Sequence, residues 1–158
     1  MNKRRAPTKP VPKPTTRKLF RPIRKYDDVE KQYLKTHRRG QPHTFNSKVA
    51  IHYDVNIALI INLMIYWCHQ NAKGKLNFRD GYYWTYNSAP MIRTKYPYLS
   101  ERSIRIAINR LLSDQLLVKS DKNYNKHKYD KTSWYRINED GIKSMFSMSP
   151  FDVLFPKE

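Results

Sequence analysis

The chain has 158 residues, with 31 Lys and Arg against 13 Asp and Glu, a formal net charge of +18. That length allows one domain plus a tail. The charge calls for a polyanionic partner, nucleic acid before a membrane surface. The one cysteine, Cys68, excludes an internal disulfide and points to a reducing, cytoplasmic compartment.

In chain order, residues 1–25 come first and hold ten Lys or Arg, five Pro and no acid. The bases are Lys3, Arg4, Arg5, Lys9, Lys13, Arg17, Lys18, Arg21, Arg24 and Lys25. Proline at this density forbids a continuous helix and favours extended chain, disordered or polyproline-like. The functional reading is an arm that lies along phosphates; the competing one is a solubilising or linker tail. Leu19, Phe20 and Ile23 are the residues able to pin its end to a surface. No apolar core of a signal peptide is seen at the N-terminus.

Residues 26–44 read as a short helix over 27–36, capped by Asp27 or Asp28, and a linker broken at Gly40 and Pro42. The folded domain is expected over 45–140. Asp54 is a suitable N-cap for a long apolar helix running to about Asn71 and stopping near Gly74. Its most apolar part, residues 55–68, is 14 residues long and contains Asn56 and Asn62. A membrane span needs roughly 20 apolar residues, so this is a buried core helix, with Trp67 and Cys68 inside.

Asp80-Gly81 marks a turn between two short β-prone runs, and 82–86 reads as a strand. A short helix begins near Ser88 or Ala89, with Pro90 in its first turn, and Pro97 ends it. Ser100 then caps a helix over 101–113. Two strand runs follow, 116–120 and 133–138, joined by a polar stretch over 121–132. Trp84 and Trp134 are assigned to the core. Residues 141–158 form a tail: one or two helical turns, then extended apolar chain.

The helix over 101–113 has two distinct faces. Ile104, Ala107, Ile108, Leu111 and Leu112 make an apolar stripe at helical spacing. The opposite face carries Arg102, Arg105, Asn109 and Arg110 around one apolar residue, Ile106. Its single acid, Glu101, sits in the first turn, where the helix dipole favours it. From the apolar helix onward the order is helix, strand, helix, helix, strand, strand. That is the order of a winged helix-turn-helix. The expected class is therefore α+β: mainly helical, with a small antiparallel sheet, a long basic wing and a basic N-terminal arm.

Two stretches carry a resemblance. One is "YNSAPMIRTKYPYLSERSIRIAINRLLSDQLLV"; the other is "NYNKHKYDKTSWYRIN". Together they resemble the winged-helix domain of phage and plasmid replication proteins and of DnaD-type replisome organisers, over about residues 48–140. The pattern is carried by Trp84-Thr85-Tyr86-Asn87-Ser88, by Pro97 through Ile104, and by the return run Asn125 through Tyr135. "LMIYWCHQNAKG" is similar to that family's first core helix. Gln115 stands where the family usually has Gly, so the helix C-cap must be made otherwise. The chain ends some 18 residues past the wing, where such initiators usually continue into a second domain. The resemblance implies DNA binding, in a bacterial host cytoplasm or nucleoid, more directly than it implies replication initiation.

On this reading Arg102, Ile106 and Asn109 lie within about 60° of one another on the outer face. An arginine reads guanine, an asparagine reads adenine, and an aliphatic group touches the thymine methyl. Ser103 joins them; Arg105 and Arg110 flank them toward phosphate. The competing readings are a solvated helix face for the arginines and, for Ile106, an ordinary exposed aliphatic or a homodimer or replication-protein contact. On the wing, Lys122, Asn125, Lys126, Lys128 and Lys131 suit phosphate contact or minor-groove insertion. Tyr124 and Tyr129 are expected to pack, and Asp130 to orient the base of the wing. The five histidines show no pair at metal-ligand spacing, and no Gly-rich phosphate loop is present. No metal, cofactor, catalysis or membrane partner is expected. The expected function is non-enzymatic binding of double-stranded DNA in replication initiation or regulation. The alternative is a structural or assembly protein that coats DNA or RNA with little sequence preference.

Overall fold

The computed structural model describes residues 24–157. Most of the arm, including the eight bases from Lys3 to Arg21 and the apolar Leu19, Phe20 and Ile23, lies outside them. The architecture is mixed, helical with two small antiparallel sheets. Among the described residues no helix is long and apolar enough to cross a membrane.

The first helix, α1 (Asp28–Thr36), starts on a capping box. The Asp27 carboxylate accepts from the Glu30 N–H, and the Glu30 carboxylate accepts from the Asp27 N–H. The short helix α2 (Ser47–His52) is capped by the buried Asn46. The long apolar helix α3 (Val55–Gly74) is capped by Asp54, as its sequence predicts. Ile60, Ile61 and Met64 of α3 are fully buried. Each contributes about 1.5–3 kcal/mol relative to exposure. Trp67 departs from expectation. It is 42 % exposed, because α3 is apolar nearly all round while its last turns are only partly covered.

The expected single strand over 82–86 is split. β1 (Phe78–Arg79) pairs with β2 (Tyr82–Tyr83) across the Asp80-Gly81 turn. β3 (Thr85–Tyr86) joins a different sheet, in the order β3-β5-β4, with β4 (Leu117–Lys119) and β5 (Trp134–Ile137). Trp84, between the two, spends its backbone elsewhere. Its carbonyl accepts from the buried Asn71 side chain at 2.8 Å, and its N–H donates to the Asn77 carbonyl at 3.1 Å. The short α4 (Ala89–Lys95) is capped by Ser88 and precedes α5 (Glu101–Ser113), which packs on α3.

The segment expected as a tail is part of the core. α6 (Glu139–Phe146) and α7 (Pro150–Leu154) bury Ile142, Phe146 and Val153. Asn46 donates from Nδ2 to the Val153 carbonyl at 3.2 Å, tying α2 to α7. The 26–44 segment is also packed: α1 lies against α4.

Gln115 solves the missing C-cap glycine by adopting the left-handed conformation itself, at φ 59°. The Leu116 N–H then returns to the Leu111 carbonyl at 2.9 Å. The Gln115 carbonyl accepts from the Asn138 side chain at 2.7 Å, and the first turn of α6 presses against it. A Cβ at Gly141 would lie 2.2 Å from that carbonyl oxygen. Gly141→Ala is therefore expected to lower stability by roughly 1–3 kcal/mol through overpacking. Gln115→Gly should raise it by up to about 1 kcal/mol, since glycine adopts that φ without strain. Denaturant midpoints of the two variants check both signs.

Candidate nucleic-acid interface

Helix α5 is fixed before it is presented. Ile104, Ala107, Ile108 and Leu111 are buried, and Leu112 is half-buried. At its start, Ser100 Oγ accepts from the Ser103 N–H at 3.1 Å and exchanges a hydrogen bond with Ser103 Oγ at 2.9 Å. Ser103 is thus part of the cap. The turn between α4 and α5 is held by the buried Tyr96 and Leu99. Arg93 donates from Nε to the Leu99 carbonyl at 3.1 Å and also pairs with Asp27. Two hydrogen bonds, first the Glu30 N–H and then Arg93, hold the Asp27 carboxyl below the usual carboxylate range.

The outward face of α5 carries Arg102, Ile106 and Asn109, all exposed, with Ile106 at 57 %. Neither Arg102 nor Asn109 has a side-chain hydrogen-bond or ion-pair partner among the described residues. Arg105 pairs with Glu101 at 3.0 Å. An exposed pair one turn apart contributes only about 0.3–0.5 kcal/mol, so a phosphate can replace Glu101. Arg110 is more engaged. Its Nε donates to Asp114 at 2.9 Å, and its guanidinium lies 5.6 Å from the centre of the Tyr53 ring. The Tyr53 hydroxyl donates to the same carboxylate at 2.6 Å. That bond and then Arg110 keep Asp114 ionised below its ordinary range. Arg110 is a tether of the α5 C-terminus as much as an outward cation.

A cleft of about 280 Å³ lies between the start of α4, the exposed side of α5 and the approach to β5. Arg105, Asn109 and Lys131 line it together with Ser88, Pro90 and Thr132. The helix face and the base of the 120–133 loop are therefore neighbours.

That loop is internally braced. Asn125 donates from Nδ2 to the carbonyls of Asp130 and Thr132, at 3.1 and 2.9 Å, and its Oδ1 accepts from the Trp134 indole at 2.8 Å. Its two donated bonds go to loop backbone, and its acceptor is used by the first residue of β5. Asn125, expected as a nucleic-acid contact, has a structural role here. Lys122 differs similarly, pairing with Asp80 at 3.0 Å, while the Tyr124 hydroxyl donates to the same carboxylate. These two contacts, Tyr124 first, hold Asp80 below its usual range. The Thr132 N–H donates to Asp130 at 2.9 Å, the bracing role expected of Asp130. Lys126, Lys128 and Lys131 are exposed and have no ion-pair partner among the described residues. Tyr124 packs near Trp84 and Trp134, but Tyr129 does not pack: it is 81 % exposed.

Of the arm, Arg24 and Lys25 are described. Arg24 pairs with the buried Glu30 at 2.5 Å, so it roots the arm rather than extending it; Lys25 is exposed. The sequence offered no sign of the Asp80 clamp, since Asp80 lies more than 40 positions from both its partners. Cys68 is half-buried, and burial pushes its thiol up to about 11, as for an inert packing residue.

Comparison with protein-family models, with curated proteins and with solved structures found no match to this chain.

Asn125→Ala is expected to lower stability by about 1–3 kcal/mol, because it strands the mostly buried Trp134 N–H and removes the loop's brace. Lys128→Ala, on the exposed side of the same loop, should stay within about 0.5 kcal/mol of the parent. Thermal melts followed by tryptophan fluorescence distinguish the two.

Proposed function

We propose that the chain is a non-enzymatic winged-helix protein that binds double-stranded DNA. Helix α5 enters the major groove, the 120–133 loop acts as the wing, and the basic arm lies on phosphates. One observation carries this reading. The core-anchored helix turns outward Arg102, Ile106 and Asn109, residue types that read base edges, and its single first-turn acid is already paired. The net charge of +18 and the adjoining cleft with Arg105 and Lys131 support it. A phage or mobile-element role in replication or its regulation follows from the resemblance of 48–140 to replication proteins. A protein that coats nucleic acid would share the charge but not the need for an ordered reading face.

Selection from a random duplex pool tests the reading, and an enriched motif is expected. Arg102→Ala and Asn109→Ala should each relax preference at particular base pairs by about 1–3 kcal/mol. Enrichment of no motif would favour the coating role.

The arm makes a separate prediction. Deleting residues 1–23, which keeps Arg24 on Glu30, should leave the fold and base preference intact and weaken all duplexes alike. Eight bases are removed. If half of them neutralise phosphates, the slope of log affinity against log salt falls by about 3 to 4. An unchanged slope would make the segment a linker.

A further inference from the structure

We propose that the tip formed by Lys126, His127, Lys128 and Tyr129 is a stacking ledge for an unpaired base, so that the protein prefers the junction between double- and single-stranded DNA. This rests on the nucleic-acid reading of α5 and adds a second, base-stacking contact to it.

Between Ser120 and Ser133 the chain has no regular structure apart from turns. Ser120, Asn123, Asn125, Asp130 and Tyr124 all turn their polar atoms inward, onto loop backbone, the Trp134 indole or Asp80. The Asp130 N–H closes the tip by donating to the His127 carbonyl at 3.0 Å. At the tip, outside this framework, stand Lys126, His127, Lys128 and Tyr129, all exposed. The loop is a rigid mount for two cations and two rings.

Tyr129 differs from the other exposed aromatics. Tyr98 lies against Tyr96 and His43, Tyr86 against Trp134, and Tyr82 under Arg136. Each of those rests on the body of the protein. Tyr129 is 81 % exposed, against 56 % for Phe155, and its ring lies against that of His127. The two rings are near-parallel, 10° apart in plane with centroids at 5.1 Å. A stacked ring pair with an exposed outer tyrosine face, between lysines, matches what sequence-tolerant single-strand binders use: π faces for bases, cations for the backbone. A base pair within the duplex is stacked on both faces and held in the helix, whereas the first unpaired base at a junction can turn out and offer a face to the ring. Commitment to a junction follows from that difference.

The test uses the full chain and three DNAs: a blunt duplex, the same duplex with a five-nucleotide single-stranded tail, and a third whose tail has abasic sugars. The abasic tail keeps the added phosphates and removes the bases. The wild-type protein is expected to bind the base-bearing tail roughly 5- to 150-fold better than the other two, the range of one base stacked on an aromatic. Tyr129→Ala should abolish that preference, so that tailed, abasic-tailed and blunt duplexes bind alike; Tyr129→Phe should keep it. A probe of 2-aminopurine at the first unpaired position should be quenched by the wild type and not by Tyr129→Ala. Equal binding of tailed and blunt duplex by the wild type overturns the proposal, as does a preference that survives Tyr129→Ala. Tail binding that depends on Tyr129 without blunt-duplex binding would keep the ledge and overturn the reading of α5. Binding to none of the three overturns both.

Discussion

The packing of α5 on α3 is the contact on which the other features depend. Its apolar stripe, from Ile104 to Leu111, is buried to within a few per cent. This contact fixes the rotation of the helix about its axis. A rotation of 100°, one residue's worth, would bring Arg105 or Arg110 into the core and cost far more than any surface contact returns. The outward face is thus determined by the inward one. Ser100 and Arg93 set where the helix begins, and Gln115 with the Arg110–Asp114–Tyr53 group sets where it ends. A face held at both ends and along its length can align several side chains with a partner at once, with little ordering left to do on binding.

The two flanks of α5 are held differently. On one side the 120–133 loop is tied by Asn125 to Trp134 and by Lys122 and Tyr124 to Asp80. On the other, α1 is clasped by Asp27 on Arg93, and Arg24 is fixed on the buried Glu30. Residue 24, where the described chain begins, is therefore held near the turn that precedes α5.

Much of this was legible in the sequence, for reasons that can be named. Capping residues and helical periodicity located α1, α3, α4 and α5, because Asp27, Asp54, Ser88 and Ser100 do what short polar side chains do at helix starts. The two strands after α5 followed from their apolar composition. Other features were not legible. The split at Trp84 depends on Asn71, a residue 13 positions away whose amide takes the carbonyl that a ladder would use. Helix α2 is too short to show a period. The one or two helical turns expected after residue 141 are α6, whose start is blurred by Gly141, a residue required because the Gln115 backbone leaves no room for a Cβ; α7 stands where extended chain was expected. Trp67 was misplaced because an all-apolar helix carries no signal of which turn stays uncovered. At the candidate interface the residue types were readable, but not their commitments. Asn125 and Lys122 are the right chemistry for nucleic acid and are already used within the protein. Tyr129, expected to pack, is left outside.

The central claim is that nucleic acid is met by the outward face of α5 and the neighbouring loop. Backbone amide shifts followed during titration of the protein with a short duplex test it most directly. The account predicts that shifts concentrate at Arg102, Arg105, Ile106 and Asn109 and at residues 126–131, and that they weaken together as salt rises. Shifts confined to the groove between Cys68, Tyr82, Arg136 and Phe151 would contradict it.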